Sequence, residues 1–572
     1  MKSFNKFLLA GFMTMGLFAC SDSNDAPDAT NNENASKQSV YMQFKMELPT
    51  TGRSATDESG NTNSNANPDY EVGNNAENTV KSIYVVLVKA ENGDYVTSSY
   101  VTENDFDQVA GDDMTTNNIY TVPFDADKLT ESLESQNVKI FVFCNPITAL
   151  KNELDKKGNL SSFQDLAYTL TSETDATAWT ANGFPMSNAE IATKNLPSDF
   201  NNHRTPETAY FLGTVRVERS VARFDYAAKN EGNTYNLQTV SATDNTTVVD
   251  IKLTNVALLN LSKSFYYLRR VAASSDDTKT QYNANQIVLC GTENMSNWVV
   301  DTDHAAKMNW TENSTWENNF YYSMTSATEG YNHVEGLAWT NLTDIANNTA
   351  DQWNSTDNTN DYHIWRYATE NTIPAINKQV QAITTHVVFK GELVAGTAET
   401  TDATALAARA AINAGTEQII IYKDVVYGTW TDVVAKVTKD NTIDLSTDLG
   451  QAVSLVQRIA GENDITSDNL AAAGFKGITP INGKYEVLYY YKNRHNDNND
   501  PNNMGIMEFN VVRNNVYKLM VDKINKFGHP TNPNDPDPDP EDPNDPDEED
   551  IVYFNVSVEV LPWVVRVNNI EF

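Results

Sequence analysis

Cysteine is scarce, with three in 572 residues, Cys20, Cys144 and Cys290. This excludes a disulfide-built scaffold and a cysteine-rich metal centre. Positive charge is short as well: 41 Lys and Arg face 77 Asp and Glu, a formal net charge of 41 − 77 = −36. Phosphate backbones and anionic lipid surfaces therefore repel the chain, and nucleic acid is not an expected partner. No apolar run reaches the ~20 residues a membrane-spanning helix needs. Phosphate-binding loops, dinucleotide glycine fingerprints, Gly-x-Ser-x-Gly and HExxH are all missing. The histidines, His203, His304, His333, His363, His386, His495 and His529, are scattered, and each is expected at the surface or in a loop. No catalytic residue, metal ligand or cofactor is assigned, and the chain is not expected to be an enzyme.

What is present is material for a core. The chain holds 9 Trp, 26 Tyr and 22 Phe, so it is not a disordered polyelectrolyte, and its length allows about three to five domains, fewer if they are large and all-β. Lys2 and Lys6 precede an apolar stretch, Phe7 to Phe18, which ends in Leu17-Phe18-Ala19-Cys20. A Cys directly after a small residue at this point marks a lipoprotein signal, residues 1–19, with Cys20 as the lipidated residue. The alternative is an ordinary secretory signal with a chance Cys. Cys144 and Cys290 each close a short apolar run, Lys139–Cys144 and Gln286–Cys290, which predict buried strands, and no bond between them is expected.

Residues 21–39 are small and polar and predict a tether. Val40, Met42, Phe44, Met46 and Leu48 then alternate with polar neighbours, the signature of a strand with one buried face. Pro49 to Ser54 breaks the pattern and opens an exposed stretch, rich in Asn, Ser and Asp, to about residue 78. Strands follow at Lys81–Lys89 and from Tyr95, joined by a turn at Glu91–Asp94, and at Lys139–Cys144. Helical spacing marks Ser161–Thr169. A domain boundary is placed within Val215–Asp225. Further strands are expected at Val248–Leu261, His386–Val394, Gln418–Tyr422, Tyr485–Tyr491, Met507–Val512 and Val516–Ile524. So many short strands imply an all-β protein built of sandwiches. Thr401–Gly415 is Ala-rich and predicts a helix peripheral to them.

Residues 529–550 contain seven Pro and ten acidic residues, which predicts an extended spacer held open by charge repulsion. Behind it Val552, Phe554, Val556, Val558 and Val560 alternate again, up to Pro562. Two strands of matching pattern thus sit at opposite ends of the chain. The first lies between a lipid and a candidate cleavage site at Arg53–Ser54, and the last hangs on a spacer long enough to reach a neighbour. Loss of the first would leave an open edge that the last strand of another copy can fill, and such a head-to-tail contact yields a filament. The alternative is that both strands pair within their own chain. Six Trp between residues 298 and 365 (Trp298, Trp310, Trp316, Trp339, Trp353 and Trp365) either pin long loops to the sandwich or form a glycan-binding platform on a monomeric surface lipoprotein.

The lipobox, Arg53, Val-Glu-Arg-Ser-Val-Ala-Arg at 217–223, Val-Val-Arg-Asn-Asn-Val-Tyr at 511–517, the Pro/Asp spacer and Val-Ser-Val-Glu-Val-Leu-Pro-Trp at 556–563 together resemble the fimbrilins of Bacteroidales that build type V pili, most of all the stalk subunit of the short fimbria. The resemblance implies two transthyretin-like β-sandwich domains with minor helical insertions, at 54–216 and 217–528, and a C-terminal donor strand at 551–572. It implies a propeptide, 20–53, lipidated at Cys20 and cut between Arg53 and Ser54 by an Arg-specific protease, whose strand (Val40, Met42, Phe44, Met46, Leu48) is displaced. The donor would be Val552, Phe554, Val556, Val558 and Val560. The implied partners are further copies of the chain, tip and anchor subunits, and host or bacterial surface ligands. The implied location is a cell-surface fimbrium, reached by way of an outer-membrane lipoprotein. The spacer and last strand favour a stalk over a tip role. Residues 396–475 depart from the family pattern as an insertion.

Overall fold

A computed structural model of the chain describes residues 39–47, 71–105, 119–132, 137–172, 179, 183–237, 247–294, 296–311, 316, 318–324, 336–347, 362–460, 465–500, 502–548 and 553–564. Cys20, Leu48, Arg53, Ser54, His333, Trp353 and Val552 lie outside them. The described chain is all-β, with short helices between strands.

The N-terminal body is one curled sheet. Its strands run in the order Tyr95–Thr102, Ser82–Lys89, Asn137–Cys144, Met186–Asn188, Tyr210–Arg219, Ser39–Glu47, Ile119–Asp125, with Ala192–Asn195 paired off Asn137–Cys144. The sheet bends until Tyr95–Thr102 lies against Ile119–Asp125. Continuous apolar runs such as Ile83–Val88 and Ile140–Cys144 are buried along their whole length, as strands covered on both faces require. The predicted turn is present, with Gly93 at φ 76°.

Two sheets form the C-terminal body. One orders Glu71–Val72, Phe554–Val564, Asn515–Ile524, Val221–Ala227 and His363–Thr369, and the other Thr234–Leu237, Val249–Leu259, His386–Ala395, Glu486–Lys492 and His529–Pro530. Phe224, Tyr517 and Leu519 of the first pack on Ile251, Phe389 and Tyr489 of the second, which makes a sandwich. The chain crosses between the bodies at Ser220, between strands Tyr210–Arg219 and Val221–Ala227.

Residues 403–478 add a small lobe. Helix Ala403–Ala414 is capped by Asp402 and stopped by Gly415 in the left-handed conformation, as the Ala-rich pattern predicts. Strands Val425–Tyr427, Ile419–Tyr422 and Phe475–Ile478 carry helices Trp430–Val437, Asp448–Ala460 and Ser467–Ala472 around a core of Ile420, Val433, Val453, Val456, Leu470 and Phe475.

Several expectations change. The strand expected to be buried at Gln286–Cys290 forms as Tyr282–Leu289 but lies largely exposed, with Val288 58 % exposed and only Cys290 beyond its end buried. Helical spacing at Ser161–Thr169 gives only Leu160–Phe163, followed by strand Ala167–Thr169, which pairs with Ser264–Tyr266. Met507–Val512 is a turn with one isolated bridge at Val511, because Met507 takes φ 53° and the Phe509 N–H is drawn to the Gln379 side chain. His386, His495 and His529 are buried, not superficial: His386 opens strand His386–Ala395, His495 sits in a loop between Glu293 and Tyr517, and His529 faces Asp537 and Glu541.

Candidate functional site: two strand seats and an acidic strap

The first strand, Ser39–Glu47, is wedged into the middle of its sheet. It pairs parallel with Tyr210–Arg219 from Met42↔Tyr210 to Glu47↔Arg216, and antiparallel with Ile119–Asp125 from Ser39↔Asp125 to Lys45↔Ile119. A bulge after Gln43 skips Leu212, and Gly213 absorbs it at φ 108°, a conformation that side chains rarely adopt. Val40, Met42, Phe44 and Met46 are all 0 % exposed. Phe44 tilts against Tyr120 with ring centroids 6.2 Å apart, and Met46 Sδ lies 3.4 Å from the Cys144 thiol. Burying four such side chains is worth about 6–12 kcal/mol before ordering costs. Ile119–Asp125 has no other strand partner among the described residues. Loss of residues 39–47 therefore opens a groove whose floor includes Cys144 and whose two walls carry unpaired backbone. Cys144 and Cys290 are both buried and form no disulfide among the described residues, and burial pushes the Cys144 thiol well above its ordinary pKa.

The terminal strand, Phe554–Val564, has a different seat. It pairs antiparallel with Asn515–Ile524 from Ile524↔Phe554 to Asn515↔Pro562, and among the described residues its other side pairs only with Glu71 and Val72, opposite Trp563 and Val564. Over most of its length it is an edge strand, where Pro562 is tolerated. Phe554 is buried against Phe389 and Tyr489, with ring centroids at 5.9 and 5.2 Å, and Val556 is half-buried. Both end strands are thus paired within their own chain, and the terminal one is the less enclosed.

Between the two seats lies a clamp that the sequence reading missed. Arg219 and Arg223, from the motif at 217–223, are fully buried at the crossing between the bodies. Arg223 donates to Glu77 (3.1 and 3.2 Å), Glu71 (3.0 Å) and Asp225 (2.7 and 2.8 Å). Lys518 lies 2.8 Å from Glu71, and the Tyr367 hydroxyl donates to Glu77 at 2.7 Å. Arg219 donates to the Glu77 carbonyl at 3.1 Å and to Asn78, and its N–H donates to Asn514 of the second motif at 3.2 Å. Arg513 of that motif holds Glu370 through Nε and Nη2. The motif residues therefore tie segment 71–78 to the strands that carry the terminal strand. The available signal was charge inside apolar strands, which demands a buried counter-charge. The partners, Glu71 and Glu77, lie in a stretch without periodicity.

The Pro/Asp segment is not an open spacer. Its described part, residues 529–548, runs as a strap over the C-terminal body and the small lobe. Asp535 accepts from the Thr479 N–H and hydroxyl (both 2.6 Å) and from Gln418 (2.8 Å), while the Gly477 N–H donates to the Pro536 carbonyl (2.8 Å). Asp537 lies 3.2 Å from Lys476 and 2.8 Å from His529, and Glu541 3.1 Å from both Lys492 and His529. The N–H groups of Ala382 and Gln381 donate to Pro543 and Asp545, and Thr384 donates to Asp547 at 2.5 Å. Glu548 grips Arg494 with both oxygens at 2.7 and 2.9 Å. Charge repulsion is offset because Lys476, Lys492 and Arg494 supply counter-charges from outside the strap and His529 one at its start.

Burial works against ionisation of Asp537 and Glu541, but the facing Lys and His charges outweigh it and both carboxyls titrate below their ordinary range. Burial also opposes charge on His529, and its two carboxylate neighbours reverse this and raise its pKa. Beneath them, burial pushes His386 down to about 3, with Lys492 adding to the shift and Glu541 opposing it. Among the described residues, neither ring nitrogen of His386 meets a hydrogen-bond partner.

The five described tryptophans of the cluster do not make a platform. Trp298, Trp316 and Trp365 are buried, Trp310 and Trp339 half-buried. They pin their segments to the body, so an exposed glycan-binding face built on them is not found among the described residues.

Residues 484–569 match the family described as major fimbrial subunit protein type IV, fimbrillin, C-terminal. Among solved structures, the chain is similar to a fimbrilin (fimA) from Porphyromonas gingivalis W83, with 12 % identity, 92 % of this chain and 98 % of that chain covered, and a TM-score of 0.35. It is similar to the tip fimbrial protein Mfa3 from Porphyromonas gingivalis, with 11 % identity, 92 % and 100 % covered, and a TM-score of 0.32. A fimbrial assembly protein from Parabacteroides distasonis ATCC 8503 gives 9 % identity, 63 % and 100 % covered, and a TM-score of 0.25. Superpositions this loose carry nothing over to this chain. No curated protein matches it.

Proposed function

With residues 484–569 matching the fimbrillin C-terminal family, we propose that this protein is a structural stalk subunit of a cell-surface fimbrium, polymerised by exchange of its terminal strand. The chain travels as an outer-membrane lipoprotein anchored through Cys20. An Arg-specific protease cuts between Arg53 and Ser54, and residues 39–47 leave. The terminal strand of another copy, with Phe554, Val556, Val558 and Val560 in the places of Val40, Met42, Phe44 and Met46, then fills the groove between Tyr210–Arg219 and Ile119–Asp125.

The observation that carries this reading is the contrast of the two seats. The strand upstream of the candidate cut is paired on both sides and has all four described apolar side chains fully buried, whereas the equally patterned terminal strand lies along an edge. An internal slot cannot stay empty, and an edge strand peels without dismantling its sheet. The contact is head-to-tail and does not close, so it propagates. Tip and anchor subunits would terminate the stack, and host or bacterial surfaces would be its targets.

The test is limited digestion with an Arg-specific protease, followed by N-terminal sequencing and electrophoresis without boiling. The expected result is a new Ser54 terminus together with ladders that vanish when residues 551–572 are deleted. A clean cut at Arg53 with no ladder would reject the reading.

A further inference from the structure

We propose that the small lobe and the acidic strap form a clasp that keeps the terminal strand at home until assembly. The inference rests on the strand-exchange reading above and adds a control to it.

The terminal strand starts six residues after Glu548 and, as an edge strand, has little among the described residues to retain it on its outer side. The residue before it is tied back to the strap. The Tyr553 hydroxyl donates to Asp539 at 2.9 Å, its ring lies 4.6 Å from that of His529, and Lys476 sits 5.0 Å above it. The Tyr553 carbonyl accepts from Asn525 and Lys526 at 2.8 and 3.1 Å. Lys476, which reaches both Tyr553 and Asp537, belongs to strand Phe475–Ile478 of the small lobe, the same strand whose Gly477 binds Pro536. A Cβ at Gly477 would lie 2.7 Å from Pro536, so strap and lobe are in close contact. Ser467, on the lobe's last helix, donates to Asn534 at 2.5 Å.

The lobe therefore does structural work outside its own core. It presents Lys476, the Gly477 N–H and the donors Gln418 and Ser467 to a segment that otherwise repels itself, and that segment holds the root of the strand. Arg494 fixes the strap's far end through Glu548, so the point from which the strand can swing is set by an ion pair. Loosening the strap frees the root of the strand without touching the sheet register downstream.

Hydrogen–deuterium exchange on the uncut full chain reads this directly. Asp535→Ala with Glu548→Gln should speed exchange at residues 554–562 at least about tenfold, while residues 39–47 keep wild-type protection. After the Arg-specific cut, ladders should appear faster than in wild type. Unchanged protection at 554–562 would overturn the clasp, whatever the ladders do. If protection falls at 39–47 too, the double variant has unfolded generally, and Glu548→Gln alone decides on the same two segments. If protection falls as expected but neither protein forms ladders after cutting, the clasp stands and strand exchange fails.

Discussion

The two end strands carry the same period-two pattern and the fold treats them in opposite ways. Residues 39–47 sit inside a sheet, bonded on both sides, with Val40, Met42, Phe44 and Met46 at 0 % exposure. Residues 554–564 lie at an edge, bonded along one side and, among the described residues, paired with two on the other. Pattern alone sets which face is buried; position in the sheet sets what removal costs. The enclosed strand can leave only if its covalent link to the rest of the chain is cut and something replaces it. The edge strand needs only to be let go.

The sharpest way to break this comparison is deletion. Removing residues 39–47 without a replacement should prevent cooperative folding of the N-terminal body, whereas truncation after residue 548 should leave a folded monomer; thermal unfolding followed by near-UV circular dichroism separates the two. Identical behaviour would erase the distinction. Next in size is the clamp. Arg223→Met strands Glu71, Glu77 and Asp225 in a buried site and should cost about 3–5 kcal/mol, measured by denaturant unfolding. Exchange at residues 71–78 and 563–564 should rise with it, since these segments share the clamp. Phe44→Ala should cost about 3–5 kcal/mol as a large-to-small change in a closed core, with no change in exchange at 554–562. A loss of protection there would show that the two seats are coupled.

The smallest effect is that of pH at His386. In the folded protein its pKa is depressed to about 3, while an unfolded histidine titrates near 6.5. The unfolded chain therefore binds the extra proton first as pH falls. The stability this residue contributes is fully present above about pH 6.5 and is lost on acidification, by roughly 2 kcal/mol at pH 5. The neighbouring groups are Lys492 and Tyr490 on its partner strand and Glu541 and His529 on the strap. His529, with a raised pKa, works in the opposite direction: its contribution is present below about pH 6.5 and lost as pH rises through the raised value. His386→Met removes two unpartnered nitrogens and should flatten the acid slope relative to wild type. Denaturant midpoints at pH 7.5 and pH 5 compare them, and parallel slopes would refute the assignment.

How much of this was legible follows from where the information lies in the chain. The first strand and the capped helix Ala403–Ala414 are local, set by period and by flanking residues. Apolar strands flank the crossing at Ser220 on both sides. The strap was not legible, because its counter-charges at Lys476, Lys492 and Arg494 lie tens of residues upstream and composition alone predicts repulsion. The clamp was not legible: Arg219 and Arg223 entered only within the motif at 217–223, and Glu71 and Glu77 sit where nothing periodic marks them. Met507–Val512 has the composition of a strand and lost to a left-handed residue and a side-chain acceptor. The buried tryptophans answer to tertiary burial that polar sequence neighbours hide.

The central claim, that the slot of the first strand is emptied by cutting and refilled by the terminal strand, is read most directly at Cys144, which packs on Met46. Thiol labelling should find Cys144 protected in the uncut chain, reactive in cut protein lacking residues 551–572, and protected again in ladders of the cut full-length chain. Protection in the cut and truncated protein, or ladders in which Cys144 stays reactive, would contradict it.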